Sequence, residues 1–230
     1  MPIDGLRPKV LTFDCYGTLA DVRRATVDAL STACRRWPDL DPEELADSFA
    51  EYQFAALQQP YRKFRDVLAS TLRRVLEERG REATDRDAEA LVERLSCVEP
   101  FPDTSEALRR LKDDYELGVI TNSDDDIIAG TIAALDVPID YVVTAQQVGR
   151  YKPSAEVFHH ALTAVGCRKD ELVHVAASKL YDIDTATRLG WRTVWVNRGG
   201  SRGDGNAQPW ATVRQLNELP DALAAGRVPT

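Results

Sequence analysis

The chain has 230 residues, 43% hydrophobic and 29% charged, which suits one large soluble domain or a core carrying an insertion. A formal net charge of -8 argues against nucleic acid as a partner, since phosphate backbones call for a basic surface, whereas a small anionic substrate needs only a few local cations. No run approaches the roughly 18 apolar residues of a membrane span and Met1–Arg7 lacks a signal-peptide core, so no membrane partner and a cytoplasmic location are expected.

Val10–Phe13 is a short apolar run that predicts a buried strand stopping on Asp14, with Gly17 allowing a turn behind it. From about Arg23 to Leu95 the pattern is helical throughout, divided by Pro38, Pro42, Pro60 and Gly80 into roughly four helices. An all-helical insertion after the first strand predicts a cap over residues 21–96. Residues 1–20 plus 97–230 then form an α/β core with a Rossmann-like parallel sheet. Tyr52, Phe54, Tyr61 and Phe64, at near-helical spacing, are expected to pack in the cap's own core.

A helix over Asp103–Asp114 leads into a strand at Leu117–Thr121. Ser123 reads as the N-cap of the next helix, with Asp124–Asp126 as a solvated first turn that complements the macrodipole. Tyr141–Thr144 is a weaker strand, and Ala155–Val165 a helix closed by Gly166. Strands at Leu172–Ala177 and Thr193–Asn197 flank a helix over Asp182–Leu189 that stops at Gly190. Trp191 and Trp195 are expected to pack on the sheet. Gly199–Gly205 predicts a flexible loop, and the residues after Asn206 a closing helix and tail. Cys15, Cys34, Cys97 and Cys167 show no CxxC spacing, so reduced thiols are expected.

Ligands of open parallel sheets sit beyond the carboxyl ends of the strands. Those ends present Asp14, then Thr121-Asn122-Ser123, then Ala177-Ser178 with Asp182 close behind, and Lys152 lies in the loop after the weaker strand. Asp14 can act as a nucleophile if its charge is held and aimed, and Lys152 can hold it. Thr18, Thr121 and Asn122 can donate hydrogen bonds, and Asp182 can orient or deprotonate a water. Taken singly, each has a plainer role: a turn or helix cap for Asp14, Thr121 and Asp182, and a solvated loop charge for Lys152. Their order at successive strand ends favours a shared site. His159 and His160 have no metal-ligand spacing with His174.

D-C-Y-G-T-L, I-T-N-S, Y-K-P and H-V-A-A-S-K-L-Y-D, in that order and with a helical insertion after the first, resemble the four motifs of the haloacid dehalogenase-like hydrolase superfamily. The resemblance implies that Asp14 forms a covalent ester intermediate. Phosphatases of the superfamily carry a second acid, a general acid-base, where this chain has Tyr16, and a motif-four acid that helps hold Mg²⁺ where it has Ala177. Tyr16 and W-V-N-R ending at Arg198 are instead similar to the L-2-haloacid dehalogenase branch, which needs no metal. That likeness implies Asp14, Lys152 and Asp182 as catalytic residues, with Tyr16, Thr18, Thr121, Asn122 and Ser178 around the substrate. The branch carries a Tyr where this chain has Phe158, and a Ser and an Asn where it has Ala177 and Lys179. Its halide-binding cap arginine has no counterpart in Leu45–Gln58, leaving Arg23, Arg24 and Arg62 as candidates. No cofactor is expected, and homodimerisation is left open. The alternatives are a Mg²⁺-dependent phosphatase using Asp14 and Asp182 as ligands, or a binding protein that has lost turnover. Lys179, should it enter the site, would add charge there.

Overall fold

The computed structural model describes residues 8–200 and 206–224. Six parallel strands form one sheet: β1 (Val10–Phe13), β2 (Glu116–Thr121), β3 (Tyr141–Thr144), β4 (Leu172–Ala176), β5 (Arg192–Val196) and β6 (Ala211–Val213). Their order is β3-β2-β1-β4-β5-β6. β1 is therefore central, and the direction of winding reverses on it. In such a sheet the crevice for a ligand opens at that reversal, beyond the strand's carboxyl end. Val10 is level with both Glu116 and Leu172, and Phe13 with both Val119 and Val175. The three central strands thus deliver Asp14, the end of β2 and the end of β4 to one rim.

All four residues of β1 and all five of β4 are buried, as expected for parallel strands covered on both faces. Leu11 and Phe13 face one apolar core; Val10 faces the other, with Ile120, Phe158 and Trp191. β6 corrects the expectation for the C-terminal stretch: Ala211–Val213 pairs with β5 rather than continuing a loop into a helix. Three residues are too few for a period to show. A closing helix follows at Leu219–Ala224. The loop expected at Gly199–Gly205 falls mainly, and the tail wholly, outside the described residues.

Between β1 and β2 lie α1 (Val22–Cys34), α2 (Pro42–Leu57), α3 (Phe64–Glu77) and α4 (Asp85–Leu95), then α5 (Thr104–Lys112). The starts follow local chemistry. Asp41 caps α2 ahead of Pro42, whose fixed φ suits the first turn. Thr84 and Asp87 form a reciprocal capping box on α4. The buried faces of these helices, including Leu45, Phe49, Leu68 and Leu72, merge into the same apolar core as Leu11 and Phe13. Of the four aromatics expected inside this layer Phe64 is buried, Tyr52 and Tyr61 are part-exposed but pack against the core, and Phe54 packs edge-on against Tyr181.

The remaining helices are α6 (Asp125–Ala134), α7 (Ala145–Val148), α8 (Ala155–Val165) and α9 (Asp184–Arg188). α8 ends at Gly166 with φ 71°, as its sequence suggests. Asp182 does not begin α9. It sits in a preceding π-turn, Lys179–Ile183, whose entry is capped by the Ser178 hydroxyl accepting the Tyr181 N–H at 3.0 Å.

Candidate active site

Asp14 leaves β1 with its N–H donating to the Val175 carbonyl, which fixes its backbone against β4. Behind it Gly17 turns the chain at φ 85°, a conformation that a side chain would strain. The turn brings back Thr18, whose hydroxyl donates to Asp14 Oδ2 at 2.7 Å and accepts the Ala177 N–H at 2.9 Å. Thr18 therefore links motif one to the end of β4.

Lys152 is the centre of the arrangement. It is 1% exposed, which rules out a solvated loop charge. Its Nζ donates to Asp14 Oδ1 at 2.8 Å, Asp182 Oδ1 at 2.7 Å and the Ile120 carbonyl at 2.9 Å. An ammonium has three protons, so all are used. Asn122 does not touch either carboxylate; it pairs both ways with the Lys152 backbone, at 2.7 and 3.1 Å, and so holds the lysine loop.

Burial pushes the Asp14 carboxyl upward, and the neighbouring Asp182 charge adds to this; Lys152 and Thr18 oppose them without cancelling them. Asp182 is also buried, but Lys152 and His174 outweigh that penalty and hold it below the usual carboxylate range. Two carboxylates on one ammonium thus differ in character, one disfavoured as an anion and the other favoured. Burial pushes the Cys15 thiol far up, in keeping with packing rather than chemistry.

A cavity of about 210 Å³ opens onto this centre. Its floor includes Asp14, Thr121, Asn122, Lys152, Ser178 and Asp182. Its roof comes from the helical layer: Val22, Thr26, Gln53, Leu57, Phe64 and Leu95. Tyr16 also lines it, but its hydroxyl donates to the Leu95 carbonyl at 2.9 Å, and burial keeps it protonated. Two floor oxygens, Thr121 Oγ1 and Asp182 Oδ2, are buried without a partner among the described residues.

No arginine is among the described residues lining the cavity. Arg23 pairs with Glu43 and Asp47 on the surface, Arg24 is exposed, and Arg62 donates to Ser70. Arg198 forks onto Asp103 and reaches the Thr18 carbonyl at 2.9 Å, bracing motif one from outside the cavity. Lys179 stacks over Trp195, 4.3 Å from the ring centre.

Two further residues support this arrangement from positions whose partners the sequence does not announce. His174 sits mid-strand in β4, between Thr12 and Asp182; its one signal was an ionisable residue inside an otherwise apolar strand. Asp124 is 1% exposed, not solvated, and its carboxylate accepts the N–H groups of Phe64 and Arg65 at 2.9 and 3.0 Å. Ser123 does not cap α6; Asp124 occupies that position.

A Rossmann-like sheet with a carboxylate at its winding reversal, paired with a buried lysine under a helical roof, defines a class of α/β proteins with a charged site at the sheet's carboxyl edge. The comparisons agree: a model described as haloacid dehalogenase-like hydrolase matches residues 8–190, and the chain belongs to that family. It is similar to (S)-2-haloacid dehalogenase H-109 of Pseudomonas putida, at 27% identity over 227 residues covering 96% of this chain and 98% of that protein. A glyceraldehyde 3-phosphate phosphatase of Methanothermobacter thermautotrophicus is 34% identical over 107 residues, covering 45% of this chain and 47% of the phosphatase. Among solved structures, the fold is similar to that of an L-2-haloacid dehalogenase from Xanthobacter autotrophicus with chloropropionic acid covalently bound. The TM-score is 0.84 at 18% identity, covering 94% of this chain and 98% of that one.

Proposed function

We propose that the protein is a metal-independent hydrolase of small 2-haloacids, working through an ester on Asp14. The observation that carries this reading is the bridge Asp14 Oδ1–Lys152 Nζ–Asp182 Oδ1, with Asp182 Oδ2 left free beside it. In the first step an Asp14 oxygen attacks the substrate carbon; the C–O bond forms as the carbon–halogen bond breaks, and halide departs with the electron pair. Asp182 Oδ2 then accepts a proton from a water attacking the Asp14 acyl carbon. Collapse of the tetrahedral species breaks the acyl–oxygen bond, and the 2-hydroxy acid leaves with a proton, restoring Asp14.

The cavity volume is below that of sites for drug-sized ligands, which favours a substrate of few heavy atoms. The relatives named as 2-haloacid dehalogenases point to the same small anions. Thr121 and Ser178 are proposed to meet the substrate, and Tyr16 to form one wall. Residues 21–96 are proposed as a cap over a core of residues 1–20 plus 97–230. A reducing cytoplasm suits its four cysteines, all of which have free thiols.

The phosphatase reading fares worse on donor chemistry. Mg²⁺ demands several hard oxygens in octahedral array. Here Lys152 occupies one oxygen of each aspartate, the Ala177 carbonyl accepts Trp195 Nε1 at 2.9 Å, and Tyr16 is engaged elsewhere. These residues do not fit the ion. The test is halide release from (S)-2-chloropropionate in EDTA, with Asp182→Asn trapping a propionate adduct on Asp14 by mass. No adduct on Asp14 and no halide, alongside Mg²⁺-dependent phosphate release from a small phosphoester, would overturn the reading.

A further inference from the structure

His174 is fully buried in β4, in a strand whose other residues are Leu172, Val173, Val175 and Ala176. An imidazole there requires partners for both nitrogens, because an unpaired buried polar atom is costly. It has them: Nδ1 is 3.0 Å from Thr12 Oγ1 on the neighbouring strand, and Nε2 is 3.0 Å from Asp182 Oδ1. The carboxylate can only accept, so Nε2 carries the hydrogen, and Nδ1 pairs with the Thr12 hydroxyl, which donates when the ring is neutral. The tautomer is set by the Asp182 carboxylate, and Thr12, two residues before Asp14, supplies the partner for the other nitrogen. Phe158 and Trp191 hold the ring by their edges, with centroids at 5.7 and 6.2 Å.

The consequence falls on Asp182. Its Oδ1 takes donors from Lys152 and from His174, whereas Oδ2 has none among the described residues. A carboxylate gripped at one oxygen by two donors from different elements is restrained from rotating, so the unpartnered oxygen is held in one place. We propose that His174 is a positioning residue for ester hydrolysis: it fixes Asp182 so that Oδ2 faces the attacking water. It does not touch substrate. The inference rests on the proposed Asp14 ester and names a residue that serves the second step and not the first.

The groups facing Asp182 are Lys152 from the loop after α7, Asp14 from the end of β1, His174 from β4 and Tyr181 from its own turn. Loss of the His174 N–H removes one of the two influences that hold Asp182 low. Ester hydrolysis by the variant should then lose its rate at a higher pH than in the wild-type protein, as pH falls.

The experiment follows ester formation and ester decay on Asp14 separately, by rapid-quench mass analysis with (S)-2-chloropropionate, in wild type, His174→Leu and His174→Gln. Leu removes the donor; Gln returns an amide N–H at the place of Nε2. The expected result is ester decay slowed roughly 10- to 100-fold in the Leu variant, the size usual when an outer orienting partner is lost. Its acid limb should move to higher pH, ester formation should change little, and the Gln variant should recover much of the rate. Thr12→Val, which removes the hydroxyl paired with Nδ1 but keeps the imidazole, should show a milder form of the same split and covers the case in which His174→Leu does not fold. Equal slowing of both steps, or Leu and Gln variants with the same decay rate and limb, would overturn the inference and leave the Asp14 ester standing. A wild-type protein that forms no ester would overturn the proposed function itself and this inference with it.

Discussion

Lys152 shows how much one side chain carries here. Two carboxylates and a backbone carbonyl converge on its buried ammonium. Breaking a buried ion pair by removing one partner typically costs about 3–5 kcal/mol, because the other charge is stranded. Lys152→Met is therefore expected to abolish turnover and to lower urea-unfolding stability by about that amount. Asp14→Asn should behave oppositely on stability. The Asp14 carboxyl is pushed up in the fold, so its ionised form is disfavoured there relative to the unfolded chain. The neutral amide is expected to unfold no earlier than wild type at neutral pH while losing all activity, a contrast that parallel thermal melts would check. The same direction governs the pH profile. Attack needs ionised Asp14, so ester formation should be complete above its raised pKa and fall away below it. That acid limb should lie above the usual carboxylate range of about 4, with Asp182, held low, still ionised across it.

The helical layer is tied to the sheet by contacts that no helix pattern announces. α3 begins at Phe64 with no cap of its own; Asp124, from the loop after β2, supplies the carboxylate for its first two N–H groups. Arg65 and Asp126 pair beside it, and the Tyr151 hydroxyl donates to the Arg62 carbonyl at 2.8 Å. Because Phe64 lines the cavity, this cap also sets the roof. Asp124→Ala is expected to cost about 1–2 kcal/mol, as lost N-caps do, and to raise KM more than it lowers kcat, measurable by urea titration and steady-state halide release. At the return crossing, a Cβ on Gly130 of α6 would sit 2.3 Å from the Ser96 carbonyl at the end of α4. Gly130→Ala should therefore destabilise where an open glycine would tolerate the change. The four helices of the insertion were legible because capping chemistry and apolar spacing are local. The place of Asp124 was not: D-D-D before a helix looks like any solvated first turn.

Across the molecule, the sheet supplies the charged floor and the insertion an apolar roof whose one amide-bearing side chain is Gln53. With no arginine among the described cavity residues, a departing halide meets no fixed positive charge other than Lys152, whose protons are already engaged. The rate of ester formation should then follow intrinsic leaving-group ability steeply, bromide well ahead of chloride and fluoride last. A flat series in competition kinetics with the three 2-halopropionates would contradict this. The sheet also explains why the motifs work at such sequence distance. Val10 is in register with strands starting at Glu116 and Leu172, so residues more than a hundred positions apart end on one rim.

Much was readable along the chain because strand ends are marked locally: an apolar run that stops on Asp14, Thr121 or Ala177 says where a parallel sheet opens. Side-chain type then picked out Asp14, Lys152 and Asp182, which the structure brings together. Partnership was not readable, since hydrogen bonds between elements depend on register and on the depth of burial. Asn122 turned out to hold the lysine loop, Lys179 to lie on Trp195, Arg198 to brace the Gly17 turn, and His174 to grip Asp182. Composition and spacing indicate which groups can do chemistry. Only the packed fold decides which of their atoms are already taken and which, like Asp182 Oδ2, are left without a partner among the described residues.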